Sequence, residues 1–221
     1  MIESIDDVKI GFFKYDMPPG FAEEAISCVA EICKEPNIYL DIIPNAPSAS
    51  LWSENDNGRK LNELPIFRDF VSFVKPHIIE YLKELGIEKS DAFVVGMWGV
   101  HYKPKQFVVR HNHVYSDIAM KHKGSSFIKR QPHKNSNQND MMSILLYLNK
   151  PDNSGNLLIE MPNGIEREFD LKGGDVIMFP SHSLWHRTQP NESNEDKFVV
   201  VLELGMKWIT DDIIGTALED L

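Results

Sequence analysis

The sequence predicts an α+β fold, mostly β, in which a β-sandwich or barrel is buttressed by N-terminal helices. Three observations predict it. Two stretches before residue 88 carry apolar residues at helical spacing. From residue 91 the texture changes to short β-branched and aromatic runs cut by turn signals. At 221 residues, 42% hydrophobic and 25% charged, the chain has the composition of a globular protein long enough to bury a real core. We read it as one domain: a helical flanking region over 1–90 and a β core over 91–208, with a loop at 121–140 that could act as a lid.

The first helix follows the turn "PPG". Phe21, Ala25, Cys28, Val29 and Ile32 repeat at helical spacing, with acids in the first turn. The second runs through Ile66, Phe70, Phe73 and Val74; Pro76 is expected to kink or restart it and Gly86 to end it. Between them "NAPSASLWSENDNGRK" reads as a loop by composition. The strand candidates are "DAFVVGMWGVHY", "QFVVRHNHVY", "MMSILLYLNK", "NLLIEM", "IEREFDL", "DVIMFP" and "KFVVVLELGMKW". Turn signals such as "KPKQ", "PDNSG", "PNG", "KGGD" and "QPNESNED" separate them.

Charge and composition argue against several function classes. A net charge of −10 and a pI near 5.3 argue weakly against a dedicated nucleic-acid or anionic-membrane binder, since either needs a basic face. No apolar run reaches the length of a membrane span. The start "MIESIDDVKIGFF" has acids where a signal peptide carries positive charge, which suits a cytoplasmic protein. Cys28 and Cys33, five apart on a helix, face different sides and read as thiols of a reducing compartment.

The chemistry concentrates in "VVRHNHVYSD". Alternation along a strand places Phe107, Val109, His111 and His113 on one face. A single buried histidine is usually a hydrogen-bonded core residue. Two in register need partners for more polar nitrogens than a core supplies, and a metal ion is one such partner. Far along the chain, "KGGDVIMFPSHSLWHRTQPNESNEDKFVVVLEL" gives a turn, a buried strand ending at Phe179 and Pro180, then His182, His186 and Lys197.

"HNH", "SILLYL" and "FPSHSLWHRTQPNES" together resemble the 2-oxoglutarate/Fe(II)-dependent oxygenase family of the H-x-H…FPS…LWH…PNES type. The resemblance covers about residues 96 to 208, and its specific part is the distal segment. It implies a double-stranded β-helix, a jelly-roll or cupin-like barrel. It implies Fe(II) held by His111, His113 and His186, with 2-oxoglutarate and dioxygen as cosubstrates. Lys197 matches the basic residue that pairs with the far carboxylate of 2-oxoglutarate. Its alternative role is a lysine snorkelling at a strand end. Tyr102 and Tyr147 lie on strands that line the cosubstrate pocket in such folds, where they either hydrogen-bond 2-oxoglutarate or pack the core. Trp185 reads as a packing residue. His182 falls in a loop and competes less well than His186, which precedes Lys197 by eleven residues. His77, His101 and His133 have no partner motif and read as structural or exposed.

One departure matters. Most of the superfamily use H-x-D…H, and here His113 stands where the Asp would be. Three readings stay open: three histidines; two histidines with a carboxylate from Asp117 or Glu160; or two histidines and water. The resemblance implies decarboxylation of 2-oxoglutarate to succinate coupled to hydroxylation of an unidentified primary substrate. The basic loop 121–140 is placed to close over that substrate, which its lysines suggest is acidic. A three-histidine cupin-like dioxygenase or isomerase that does not use 2-oxoglutarate is the alternative, and a non-enzymatic binding module on a degenerate barrel is the third reading.

Overall fold

A computed structural model of the chain describes residues 1–34, 45–52, 65–89, 92–112, 140–206 and 216–218. The first elements are β1 (Ile2–Ile5), β2 (Val8–Lys14), α1 (Phe21–Ile32), β3 (Ser48–Trp52) and α2 (Pro65–Glu84). Then come β4 (Ala92–Tyr102), β5 (Val108–His111), β6 (Asp140–Tyr147), β7 (Leu157–Glu160) and β8 (Glu166–Phe169). The last are β9 (Asp175–Phe179), β10 (His186–Thr188), β11 (Lys197–Met206) and β12 (Thr216–Ala217).

Two antiparallel sheets result. The larger runs β1-β2-β9-β6-β11-β4-β12, with β3 also paired to β4; the smaller runs β5-β10-β7-β8. Between β4 and β11 the chain passes repeatedly from one sheet to the other, which is jelly-roll winding. Because side chains alternate along a strand, each strand of the large sheet serves two cores. On β11, Phe198, Val200, Leu202 and Leu204 face α1 and α2, and Val199 and Val201 face the small sheet.

The helices form because their apolar stripes have a sheet to cover. Phe21, Ala25 and Val29 of α1, and Phe67, Phe70, Val71, Val74, Ile78, Tyr81 and Leu82 of α2, are buried in the first core. Helix α2 continues through Pro76. The proline ring is on the solvent side, and burial of Val74 and Ile78 on either side of it outweighs the lost backbone bond. Gly86, at φ 72°, ends the helix: Ile87 N–H reaches the Leu82 carbonyl at 2.9 Å and Gly86 N–H that of Lys83 at 3.0 Å.

Five strands lie where the sequence suggests none: β1, β2, β3, β10 and β12. Residues 2–14 form the hairpin β1–β2, whose turn at Asp6 and Asp7 has positive φ, and β2 extends the large sheet beside β9. "SASLW", inside the presumed loop, is β3, an edge strand whose serines hid its extended character. Cys33 is buried at the end of α1 with its thiol toward the carbonyls of Ser48 and Gly99, and Cys28 is half-buried; neither is in a disulfide. Among the described residues no helix is long and apolar enough to cross a membrane.

Candidate metal and cosubstrate site

The site is built on β10. Pro180 ends β9, and the N–H groups of Ser183 and Leu184 fold back on its carbonyl at 3.3 and 3.1 Å. That turn, which holds His182, delivers the chain into the small sheet at His186. There His186 stands between His111 of β5 and Ile159 of β7, its register partners.

The two imidazoles meet with ring centroids 4.3 Å apart. Each Nδ1 donates to the carbonyl two residues earlier, His111 to Val109 at 2.8 Å and His186 to Leu184 at 3.0 Å. A carbonyl only accepts, so Nδ1 carries the proton on both rings and Nε2 carries the lone pair. Such an outer hydrogen bond fixes tautomer and ring direction in metal-ligating histidines. The ring of Phe179 lies 5.0 Å from that of His186 and supplies an apolar wall. The pair therefore fits a divalent cation. Imidazole alone does not select iron over zinc, copper or nickel.

Strict alternation does not place His111. His186 pairs with His111, but Thr188, two residues on, pairs with Val108, so Val109 and Arg110 together oppose Arg187. This bulge puts Val108, instead of Val109, against the core between the sheets. Arg110 turns outward, its guanidinium 4.1 Å over the ring of Trp185 and bonded to Glu160 at 2.7 and 2.9 Å. Glu160 follows Ile159 and so lies on the face away from the histidines. Geometry thus opposes its service as a third ligand. His113 and Asp117, with residues 113–139 that include most of the presumed lid and His133, lie outside the described residues. Among the described residues no three His, Cys, Asp or Glu side chains come together to hold an ion.

Beyond the histidine pair, two residues along β10, Thr188 Oγ1 lies 3.5 Å from the Tyr102 hydroxyl. Tyr102 is the register partner of Lys197, and the Lys197 ammonium sits 4.2 Å over the Tyr102 ring. Lys197 is 1% exposed, with the Gly155 carbonyl accepting from Nζ at 3.2 Å. Gly155, at φ 76°, is packed so tightly that a Cβ would stand 2.2 Å from the Gln189 carbonyl oxygen. Among the described residues no carboxylate pairs with Lys197. Burial first, and then the charge of Lys150, push its ammonium down to about 7. Burial pushes the Tyr102 phenol up to about 12, against a small opposing effect from Thr188. Tyr147, partner of Val199 and fully buried, is raised by burial and then by Tyr102. Both phenols stay neutral donors across physiological pH.

The "PNES" turn anchors this floor. Asn191 is buried, and its side-chain amide donates to the carbonyls of Tyr102 and Glu195 at 3.3 and 2.9 Å. His101, facing the other way, stacks on Phe198 and meets Asp196 at 2.6 Å. His77 packs on Phe13 and Phe73, far from the pair in the fold.

No family model matches the chain, and no curated protein sequence matches it significantly. Solved structures do. A prolyl-4-hydroxylase from Pseudomonas putida aligns with TM-score 0.59 at 15% identity, over 89% of this chain and 92% of the other. HygX from Streptomyces hygroscopicus, with nickel and 2-oxoglutarate bound, aligns with TM-score 0.55 at 11% identity over 92% and 85%. A 2OG-Fe(II) oxygenase family oxidoreductase from Burkholderia pseudomallei gives 0.52 at 13% over 89% and 84%. The fold is shared with these oxygenases. The structure brings together His111 and His186, and Lys197 with Tyr102, all named from the sequence, and buries Tyr147 beside Val199; Thr188 and Phe179, which stepping by two from His186 and Ile177 reaches, were not named as site residues.

Proposed function

We propose that the chain is a non-haem Fe(II)- and 2-oxoglutarate-dependent oxygenase that hydroxylates a C–H bond of its substrate. One observation carries the reading: paired imidazoles with carbonyl-fixed tautomers share an interior with a buried lysine that meets no carboxylate among the described residues. The structural neighbours support it at the level of fold.

His111 and His186 would hold the iron through Nε2, with His113 as the proposed third ligand. Bound there, iron supplies the redox chemistry that couples oxidative decarboxylation of 2-oxoglutarate by dioxygen to substrate oxidation. Lys197 takes the far carboxylate. Desolvated cations are expensive, and pairing with an anion recovers that cost. From His186 to Thr188 the strand advances roughly 7 Å, the span of a five-carbon diacid stretched between a metal and a lysine. The Tyr102 ring holds the ammonium from one side, while the Thr188 and Tyr147 hydroxyls are neutral donors for carboxylate oxygen. Val199, Leu145 and Ile159 keep water from the space between.

Anaerobic titration with Fe(II), with and without 2-oxoglutarate, tests the proposal. A weak visible charge-transfer band should form only when both are present, and succinate should accumulate once air is admitted. A protein that binds the metal but gives no band with 2-oxoglutarate would be a histidine metalloenzyme of another kind.

A further inference from the structure

Strand β6 ends two residues before the point where it would meet Lys197. Its last register pair with β11 is Tyr147 with Val199, and one step of two further sets Asn149 opposite Lys197. In an unbroken antiparallel ladder the Leu148 carbonyl would accept from the Phe198 N–H, and the Lys150 N–H would donate to the Asp196 carbonyl. Half of the first exchange is kept: Leu148 N–H donates to the Phe198 carbonyl at 3.0 Å. From there the side chain of Asn149, directly after the "SILLYL" run, takes over. Its Oδ1 accepts from the Phe198 N–H at 2.7 Å, and its Nδ2 donates to the Asp196 carbonyl at 2.8 Å. These are the peptide groups on either side of Lys197.

A carboxamide carries the donor and the acceptor of a peptide unit, so Asn149 completes the ladder while the main chain leaves it. That departure is needed. Pro151 follows, and the turn that begins here brings round Gly155, whose carbonyl accepts from the Lys197 ammonium at 3.2 Å. A strand continued straight from Asn149 would carry residue 155 roughly 20 Å past Lys197. Pairing beside Lys197 and a chain free to fold under it are conflicting demands, and one side chain meets both. The place is also sensitive, because Lys197 opens β11 and strand ends fray. Its partner on the other side is Tyr102, with the ammonium 4.2 Å over the ring. Held from that side alone, the first residues of β11 could splay and draw the ammonium off both the ring and the Gly155 carbonyl.

We propose that Asn149 is a positioning residue for the cosubstrate: its carboxamide fixes the backbone of Lys197 so that the ammonium meets the far carboxylate of 2-oxoglutarate. The inference deepens the oxygenase reading and rests on it for the identity of the anion. Asn149 acts through Lys197 alone. A merely structural asparagine would, when removed, lower stability and weaken every ligand together. A positioning one weakens 2-oxoglutarate, spares the metal, and has nothing left to do once the lysine is gone.

Two titrations of the full chain test this. In the first, the anaerobic Fe(II)-loaded protein is titrated with 2-oxoglutarate and the charge-transfer band is followed. Asn149→Ala should raise the half-saturating concentration about tenfold, with Fe(II) affinity within about twofold of wild type. In a Lys197→Met background the same substitution should change it by less than about twofold, because the group it positions is absent. Asn149→Ser, whose hydroxyl serves one of the two peptide groups, should lose less, and it carries the comparison if thermal melting shows the alanine variant unfolded. An unchanged half-saturating concentration in a folded variant, a parallel loss of Fe(II) affinity, or an equal loss in the Lys197→Met background would each overturn the inference. The second titration follows the Lys197 side chain by NMR against pH, without metal or cosubstrate. Its midpoint of about 7 should move toward the ordinary 10.5 in the Asn149 variants, as water reaches the ammonium. A midpoint that stays in place would also overturn the inference. A midpoint that moves, in a protein whose wild type gives no charge-transfer band, would keep Asn149 as the residue that sets Lys197 and discard the cofactors.

Discussion

The two faces of the large sheet differ as much as two proteins do, although the same strands make both. Toward the helices, β11 presents Phe198, Val200, Leu202 and Leu204, and β6 adds Met142, Ile144 and Leu146, all apolar and buried. Toward the small sheet the same strands set Lys197, Glu203, Ser143 and Tyr147, buried as well, among Val199, Val201 and Leu145. One face contributes stability through burial. On the other, Lys197 bears a desolvation cost that no carboxylate among the described residues offsets. Period-two alternation lets ten residues carry both roles, and it separates the effects of mutation by parity.

The largest expected effect is at the metal pair. His186→Ala should lower Fe(II) affinity and 2-oxoglutarate turnover by more than about 100-fold, measured by anaerobic metal titration and succinate release. Leu202→Ala, sixteen residues on and facing the helices, should do the reverse. It should cost about 2–5 kcal/mol in a denaturant melt and leave metal stoichiometry intact. If Leu202→Ala also abolished metal binding in the folded protein, the division between faces would fail.

Lys197→Met separates the two faces further, because its two effects have opposite signs. Without ligand the variant should melt at a higher temperature than the wild type, since a buried cation with no carboxylate beside it among the described residues has been replaced by an apolar chain of similar length. Its Michaelis constant for 2-oxoglutarate should rise by roughly 100-fold. An unaltered Michaelis constant would make Lys197 a strand-end lysine and nothing more.

Proton linkage follows from the same residue. Burial lowers the folded ammonium from its ordinary 10.5 to about 7, whereas the unfolded chain stays protonated to the ordinary value. The ligand-free protein therefore loses stability from this group as pH falls from about 10.5 toward 7, and no further below that. An anionic cosubstrate wants the protonated form, so 2-oxoglutarate affinity should weaken as pH rises above about 7, with proton uptake on binding. Lys197→Arg should flatten that dependence. A pH-independent affinity across 6.5 to 9 in the wild type, measured by calorimetry in two buffers, would contradict it.

The smallest effect is at the outer face of β5. The Arg110–Glu160 pair ties β5 to β7 across β10 and so holds His111 opposite His186. Arg110→Ala should weaken Fe(II) binding by about tenfold or less, with the absorption spectrum of the loaded protein unchanged.

Much of this was legible in the sequence, for physical reasons. The long strands β4, β6, β9 and β11 are buried on both sides and read as continuous β-branched and aromatic runs. His186 and Lys197 stood out because a polar residue at the edge of an apolar run demands a partner. The edge strands were harder. β3 carries two serines, and the β1–β2 hairpin turns through two aspartates with positive φ, so neither shows a clean apolar period. The bulge at Val109 and Arg110 was invisible, because one added residue changes which side chains face inward without changing composition. Glu203 was overlooked for a similar reason: within "VVVLELGM" a lone acid looks like a solvent-facing residue, and only the second sheet shows that its side is interior.

The proposed chemistry requires the rings of His111 and His186 to share one ion. Anomalous diffraction from crystals grown with Fe(II) or Mn(II) measures this directly. We predict a single peak about 2 Å from Nε2 of both rings. A peak bound elsewhere, or none at all with the two rings in place, would contradict it.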